Sequence, residues 1–237
     1  MKNNFFNAKR EVVDNNIYLK GNIKRKPTQR FIQTFNTIKN KFNKKIKFCD
    51  VGCATGGFID FLNKKFPENE YYGFEKSIAL LKKCRKNIPY AKIMKIDIEK
   101  KLKLKIKFDC ITMIGILMNF DEPKKSISNC LKMLKKNGIL VIYSPFNEYP
   151  IDTITRSKRS KNNYWELGWN VHSKLTIEKI LRSLSVKNYK WKNFIVNFTV
   201  KKKKDPLRVW TVNVNGKRIL FNGASQYIDG KFLIIKK

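Results

Sequence analysis

Between residues 46 and 143, short apolar runs alternate with stretches whose apolar positions recur every three or four residues. The runs 46–51, 71–74, 92–96, 108–113 and 139–143 predict strands. The stretches 57–65, 77–86 and 124–135 predict helices. Ser77 is a natural N-cap for the second, and Asn137-Gly138 is placed to stop the third before its strand. This rhythm implies a parallel sheet with helices on both faces. The unbroken run from Ile139 to Tyr143 suits a strand with no wet side.

The flanks read differently. Phe31, Ile32, Phe35, Ile38 and Phe42 mark an amphipathic helix over 28–42, with Pro27 suited to its first turn. We take 1–44 as a helical lead-in and 45–147 as the core. Residues 148–237 then form a substrate loop and β-rich part of the same domain. Ser144 to Asn170, rich in Pro, Asn, aromatic and charged residues, reads as a long functional loop. Thr176 to Ser183 reads as helix. From 189 onward aromatic and β-branched residues alternate, with Asn215-Gly216 and Asp229-Gly230 as hairpin turns. There is no internal repeat.

A chain of 237 residues accommodates one domain with a full core, and 17 phenylalanines exclude general disorder. The apolar run from Cys110 to Met118 is far too short to span a membrane. The opening Met1-Lys-Asn-Asn-Phe lacks the apolar stretch of a leader, so the expectation is a soluble cytoplasmic protein. The five cysteines (49, 53, 84, 110 and 130) contain no C-x2-C pair, which argues for reduced buried thiols and against a metal site. Net charge is +34, from 52 cations of which only nine are arginine. Abundant Lys, Asn and Ile point to A/T-rich coding, yet that bias leaves the count of 18 acids unexplained. A nucleic-acid partner is one reading and attraction to small anions the other. The absence of an arginine-rich or aromatic-interleaved motif favours small anions.

The chemistry concentrates at Asp50-Val-Gly-Cys-Ala-Thr-Gly-Gly-Phe58, where a strand runs through a glycine turn into a helix. Such a turn presents bare backbone amides to a ligand. Nineteen residues after Gly56, Glu75 closes the next strand, where a carboxylate can accept from ribose hydroxyls. Asp97 follows the third strand, where it can accept from an adenine amino group, and Phe74 and Ile98 would sandwich the ring. The glycine spacing departs from G-x-G-x-x-G, which disfavours a nicotinamide dinucleotide.

These motifs resemble class I S-adenosylmethionine-dependent methyltransferases. The resemblance runs over about residues 45–145, through Asp50–Gly56, Glu75, Asp97-Ile98, Phe108-Asp109 and Asn137-Gly138. It implies an α/β, Rossmann-like, parallel-rich seven-stranded sheet and S-adenosyl-L-methionine as cofactor. The implied cofactor set is Asp50, Gly52, Cys53, Ala54, Gly56, Phe74, Glu75, Asp97, Ile98 and Met113. Ala54 replaces a glycine, and Leu117-Met118-Asn119 stands where many relatives carry a Glu-His pair. The implied chemistry is in-line displacement at the methyl carbon of a sulfonium, with no metal.

The segments from Phe146 to Thr153 and from Trp165 to Ser173 resemble small-molecule methyltransferases associated with sugar and polysaccharide biosynthesis. The expected acceptor is therefore an O or N atom of a small anionic metabolite, a nucleotide-linked or glycan sugar first. RNA is the alternative, and a binding-only protein comes last. Candidate bases are His172, the chain's one histidine, together with Asp152 and Glu148. Asn147 and Arg156 are candidate acceptor ligands, with Arg156 and Arg159 suited to a diphosphate. Trp165 and Trp169 are candidates for stacking on a sugar face. Oligomeric state is left open.

Overall fold

The computed structural model describes residues 8, 11–21, 26–161, 164–205 and 207–237. The opening five residues, read above for a leader, lie outside them. Two helices come first, α1 (Glu11–Lys20) and α2 (Gln29–Ile38), the second tightening into a 3-10 turn over Lys39–Asn43. Thr28 caps α2 by accepting the Phe31 amide. The alternating core follows as β1 (Lys47–Val51), α3 (Gly57–Asn63), β2 (Glu70–Glu75), α4 (Ile78–Asn87) and β3 (Lys92–Lys95). It continues through β4 (Phe108–Ile114), α5 (Lys124–Met133) and β5 (Leu134–Asn147). Two-residue strands β6 (Arg156–Ser157), β7 (Glu166–Leu167) and β8 (His172–Ser173) lead into α6 (Lys174–Ser183). The chain ends with β9 (Tyr189–Asn193), β10 (Trp210–Val214), β11 (Lys217–Phe221) and β12 (Gly230–Lys236).

Seven strands run across the main sheet in the order β3-β2-β1-β4-β5-β12-β9, with β8 beside β5. The first five are parallel, and β12 lies antiparallel between β5 and β9. The expected α/β, parallel-rich, seven-stranded architecture is therefore the one observed. Period-two alternation divides the core. Val141, Tyr143, Phe232 and Ile234 face α2, α3 and α4, while Leu140, Ile142, Leu233 and Ile235 face α5 and α6. A phenylalanine chain fills the first face, with Phe31–Phe58 centroids at 5.2 Å and Phe42–Phe48 at 6.1 Å.

Three local readings need correction. Asn137-Gly138 does not stop α5, which ends at Met133. It sits instead in an irregularity of β5, where Phe108 opposes Leu134 but Cys110 already opposes Ile139. The final Lys237 braces that bulge by exchanging main-chain bonds with Asn137 and Gly138 at 2.9 and 3.0 Å. Asp229-Gly230 is no hairpin turn. Gly230 opens β12 opposite Pro145, and a Cβ there would lie 2.6 Å from the Tyr143 hydroxyl. Asn215-Gly216 does turn β10 into β11, with φ of +49° and +77°. Finally, the loop begins only after Asn147, because β5 is long enough to carry Ser144 to Asn147 in the sheet.

Phe232 is fully buried beside Tyr143 and Phe194. Phe232→Ala is expected to lower unfolding free energy by about 3–5 kcal/mol, the usual cost of an aromatic cavity. Tyr149→Ala, at a side chain 72% exposed, should change it by less than about 0.5 kcal/mol. Denaturant melts of the two variants check the contrast.

Candidate active site

The tips of β1 and β2 are tied by one carbonyl. Phe74 O accepts the Gly52 amide at 2.8 Å and the Cys53 amide at 3.1 Å. The loop then turns through positive φ at Gly52 (+74°), Ala54 (+49°) and Gly56 (+87°). Gly52 also has no room for a side chain, since a Cβ would lie 2.4 Å from Ile116 Cγ2. Ala54 donates its amide to Glu75 at 3.0 Å, and Ser77 donates to the other oxygen at 2.9 Å. Burial raises the Glu75 carboxyl, and these amides pull it back.

A cavity of about 1240 Å³ opens over these strand tips. Gly52, Ala54, Phe74, Glu75, Asp97 and Ile98 line its inner part. Asp97 is braced by the Glu99 amide at 3.0 Å. The other four residues of the implied cofactor set stand behind the wall. Asp50 is buried beneath the loop and accepts from Thr112 Oγ1 at 2.8 Å. Cys53 is buried with its sulfur 3.9 Å from that of Cys84, Gly56 abuts Ile88, and Met113 lies in the core. A nucleoside fits this donor and acceptor set. Carboxylates at two strand tips face the cavity, and the left-handed Gly52 puts no side chain on its wall.

Aromatic and charged side chains share the rest of the lining. Trp169 enters from the loop, and Phe194, Phe198 and Val200 cross over from the segment after β9. Lys203, Lys204 and Arg208 stand at its rim, and α1 contributes Ile17 and Tyr18. None of these except Trp169 was singled out in the sequence. Their signal, isolated aromatics between lysines, carries no period that separates a cavity wall from an edge strand.

The expected bases are placed elsewhere. His172 is buried, its Nε2 bonded to Phe120 O at 2.9 Å, and burial lowers its pKa. Asp152 takes the Ser173 amide and the Thr176 hydroxyl at the start of α6. Glu148 pairs with Lys174 and Lys231 at 2.9 and 3.0 Å. Both carboxyls sit below their ordinary range, Asp152 held there by hydrogen bonds against burial and Glu148 chiefly by the Lys174 bond. None of the three lines the cavity. The expected acceptor ligands move too. Asn147 closes its own turn on Tyr149 and Ile151, and Trp165 lies off the cavity lining. Arg156 pairs with Asp121, and Arg159 bridges Glu166 and Asp205 at 3.1 and 2.8 Å.

The segment around Trp169 works as a clasp on the turn after β4. Asn170 donates from its main chain to Met118 O at 2.9 Å and from its side chain to Phe120 O at 3.1 Å and Asp121 at 2.8 Å. Gly168 closes on Thr155, leaving only 2.2 Å to the methyl for a Cβ. The clasp holds Met118 and Asn119 against the cavity.

A family model described as a methyltransferase domain matches residues 42–201. The chain belongs to this methyltransferase-domain family. Malonyl-acyl-carrier-protein O-methyltransferase of Halalkalibacterium halodurans is 25% identical over 131 residues, covering 52% of this chain and 48% of that protein. Carboxy-S-adenosyl-L-methionine synthase of Campylobacter hominis is 28% identical over 110 residues, covering 44% and 47%. The methyltransferase thus spans about half the length of these relatives. A solved S-adenosylmethionine-dependent methyltransferase from Clostridium acetobutylicum superposes with a TM-score of 0.56 at 13% identity, covering 95% of this chain and 96% of that one. The fold is that of the class I S-adenosylmethionine-dependent methyltransferases, and S-adenosylmethionine is the cofactor that family and fold assign to it.

Burial pushes the Asp50 carboxyl up to about 7, with the Thr112 hydrogen bond opposing the shift. A carboxyl raised in the folded state stabilises below its unfolded pKa and loses that contribution as pH climbs through the folded value. Wild-type stability should therefore fall, relative to Asp50→Asn, between about pH 4 and pH 7. Urea midpoints for both proteins across that window check the sign. Parallel curves would remove the buried-acid account.

Proposed function

We propose that this methyltransferase transfers a methyl group from S-adenosylmethionine to an oxygen of a small anionic acceptor with an apolar body. The observation that carries the reading is the continuity of one cavity from the strand-tip acids to an aromatic chamber with a cationic rim. In this reading Glu75 accepts from the ribose hydroxyls, Asp97 from the adenine amino group, and Phe74 and Ile98 hold the ring. Gly52 and Ala54 offer backbone, while Asp50, Cys53, Gly56 and Met113 fix the loop from behind. S-adenosylmethionine, when bound, supplies an electrophilic methyl group. The chain's task is then to hold the acceptor and exclude water. Trp169, Phe194, Phe198 and Val200 exclude water, and Lys203 and Lys204 draw an anion to the rim.

The placement of His172, Asp152 and Glu148 away from the cavity favours an acceptor whose oxygen is already ionised, because such an oxygen needs no base. The O-methyltransferase among the relatives supports oxygen as the accepting atom. A nucleotide-linked or glycan sugar is the second reading, favoured by the Trp169 indole inside the cavity and by the lysines at its rim.

Calorimetry with S-adenosylmethionine and S-adenosylhomocysteine, with NAD as control, tests the cofactor half. Glu75→Gln should weaken both adenosyl ligands about 10–100-fold, the loss of hydrogen bonds to a charged group. Asp152→Asn and His172→Gln should leave that affinity unchanged. Equal affinity in wild type and Glu75→Gln would sink the assignment. RNA that competes with the acceptor in a salt-sensitive way would replace the small anion.

A further inference from the structure

Two buried tyrosines of the main sheet bond their hydroxyls to the protein, Tyr71 to Phe66 O at 2.8 Å and Tyr72 to Glu70 at 3.4 Å. Tyr143 is different. It is buried in β5 and lines the cavity, yet its hydroxyl bonds to nothing among the described residues. Nor is that oxygen one of the polar atoms sealed in the interior without a partner. A phenol on a cavity wall whose hydroxyl has no partner of its own is a donor for whatever fills the space.

Packing holds the hydroxyl in place. The Tyr143 ring meets Phe194 edge-on with centroids 5.0 Å apart, and lies tilted against Phe232 at 5.3 Å. Phe194 donates its amide to Gly230 O at 2.9 Å. Gly230 in turn packs against the hydroxyl, where a Cβ would lie 2.6 Å from the oxygen. Burial pushes the phenol up to about 12, so at neutral pH it keeps its proton and donates instead of acting as a base. The charges that face it, Arg30 and Asp229, pull in opposite directions.

Strand order gives the side. Glu75 closes β2, and the order β2-β1-β4-β5 puts Tyr143 three strand spacings away, about 14 Å. Phe194, Trp169 and Ile228 line the cavity with it. A nucleoside held by Glu75 and Asp97 therefore leaves the Tyr143 side to the acceptor. We propose that the Tyr143 hydroxyl is a specificity-determining donor, which binds the anionic head of the acceptor by one hydrogen bond inside the aromatic chamber. The inference deepens the acceptor reading above and rests on it. Lys203 and Lys204 answer the charge of the head at long range, and the hydroxyl supplies direction. Among rings such a bond to an anion is stronger than in water, and a neutral head accepts it more weakly.

The test compares the full chain as wild type with Tyr143→Phe, which keeps the ring and removes one oxygen. Calorimetry under saturating S-adenosylhomocysteine measures octanoate against methyl octanoate, the same chain with a neutral head. Tyr143→Phe should weaken octanoate about 10–100-fold, the loss of a hydrogen bond to a charged group, and the ester by a smaller factor. S-adenosylhomocysteine should bind as before. The unfolding midpoint should not fall, because the hydroxyl bonds to nothing in the unliganded protein. Tyr71→Phe, which loses the bond to Phe66 O, should lower it by contrast. Equal octanoate affinity in wild type and Tyr143→Phe overturns the proposal and leaves the acceptor reading standing. An equal loss for octanoate and ester marks a packing effect and overturns it too. A wild type that binds S-adenosylhomocysteine but does not prefer octanoate to its ester overturns the acceptor reading, and the proposal with it. A wild type that binds no adenosyl ligand overturns the cofactor reading instead, and the octanoate-to-ester ratio in the unliganded chain then decides Tyr143 by itself.

Discussion

The shared carbonyl of Phe74 is the constraint on which the site depends. Two consecutive amides, of Gly52 and Cys53, converge on it at 2.8 and 3.1 Å, so the chain leaving β1 must fold back over the tip of β2. An L side chain pays heavily in sterics for the backbone that follows, and glycine at 52 and 56 avoids that cost. The fold-back carries the Ala54 amide to Glu75, so the carboxylate that closes β2 is oriented by the loop it helps to shape. Ser77 locks its second oxygen and also begins α4. One main-chain contact therefore positions the turn, the acid and the next helix together.

Beneath the loop the structure accepts an electrostatic cost. Asp50 is almost fully buried and bonded to Thr112, and the charge of Glu75 further raises its carboxyl. A neutral residue would relieve the burial, but would lose a strong acceptor joining β1 to β4. The join holds the tips of these strands in register, which brings Gly52 against Ile116 and so seats the turn after β4 at the cavity. On the far side of that turn, Asn170 and His172 converge on Phe120 O in the same way as the amides converge on Phe74. The cavity is thus framed by two carbonyls, each held by two donors.

The parallel core was legible because its signals are local. Each strand is an apolar run bounded by a turn, and the caps Thr28 and Ser77 act within three residues. The location of Glu75 and Asp97 at the cavity was legible because a βαβ order brings the ends of its strands to one edge of the sheet. The acceptor side was not. His172, Asp152 and Glu148 have the composition of a catalytic group, but their partners, Phe120, Thr176 and Lys231, lie 52, 24 and 83 positions away. Nothing in a single chain marks those pairings.

Scarcity of acids then bears on chemistry as well as on charge. With 18 carboxylates against 52 cations, acids are in short supply, and here they hold the clasp, the rim segment and the glycine loop. Asp205 illustrates the consequence. Arg159 bonds it at 2.8 Å and Arg208 pairs with it at 3.7 Å, so the segment that bears Lys203 and Lys204 is anchored while those cavity-lining lysines remain exposed. An aromatic chamber behind such a mouth discriminates in two steps. Long-range attraction favours any anion, and desolvation inside then admits an apolar body and penalises a hydroxylated one whose bonds to water are not replaced. A sugar entering that chamber would need compensating donors and acceptors, whereas a carboxylate on an apolar chain would need a cation at its head.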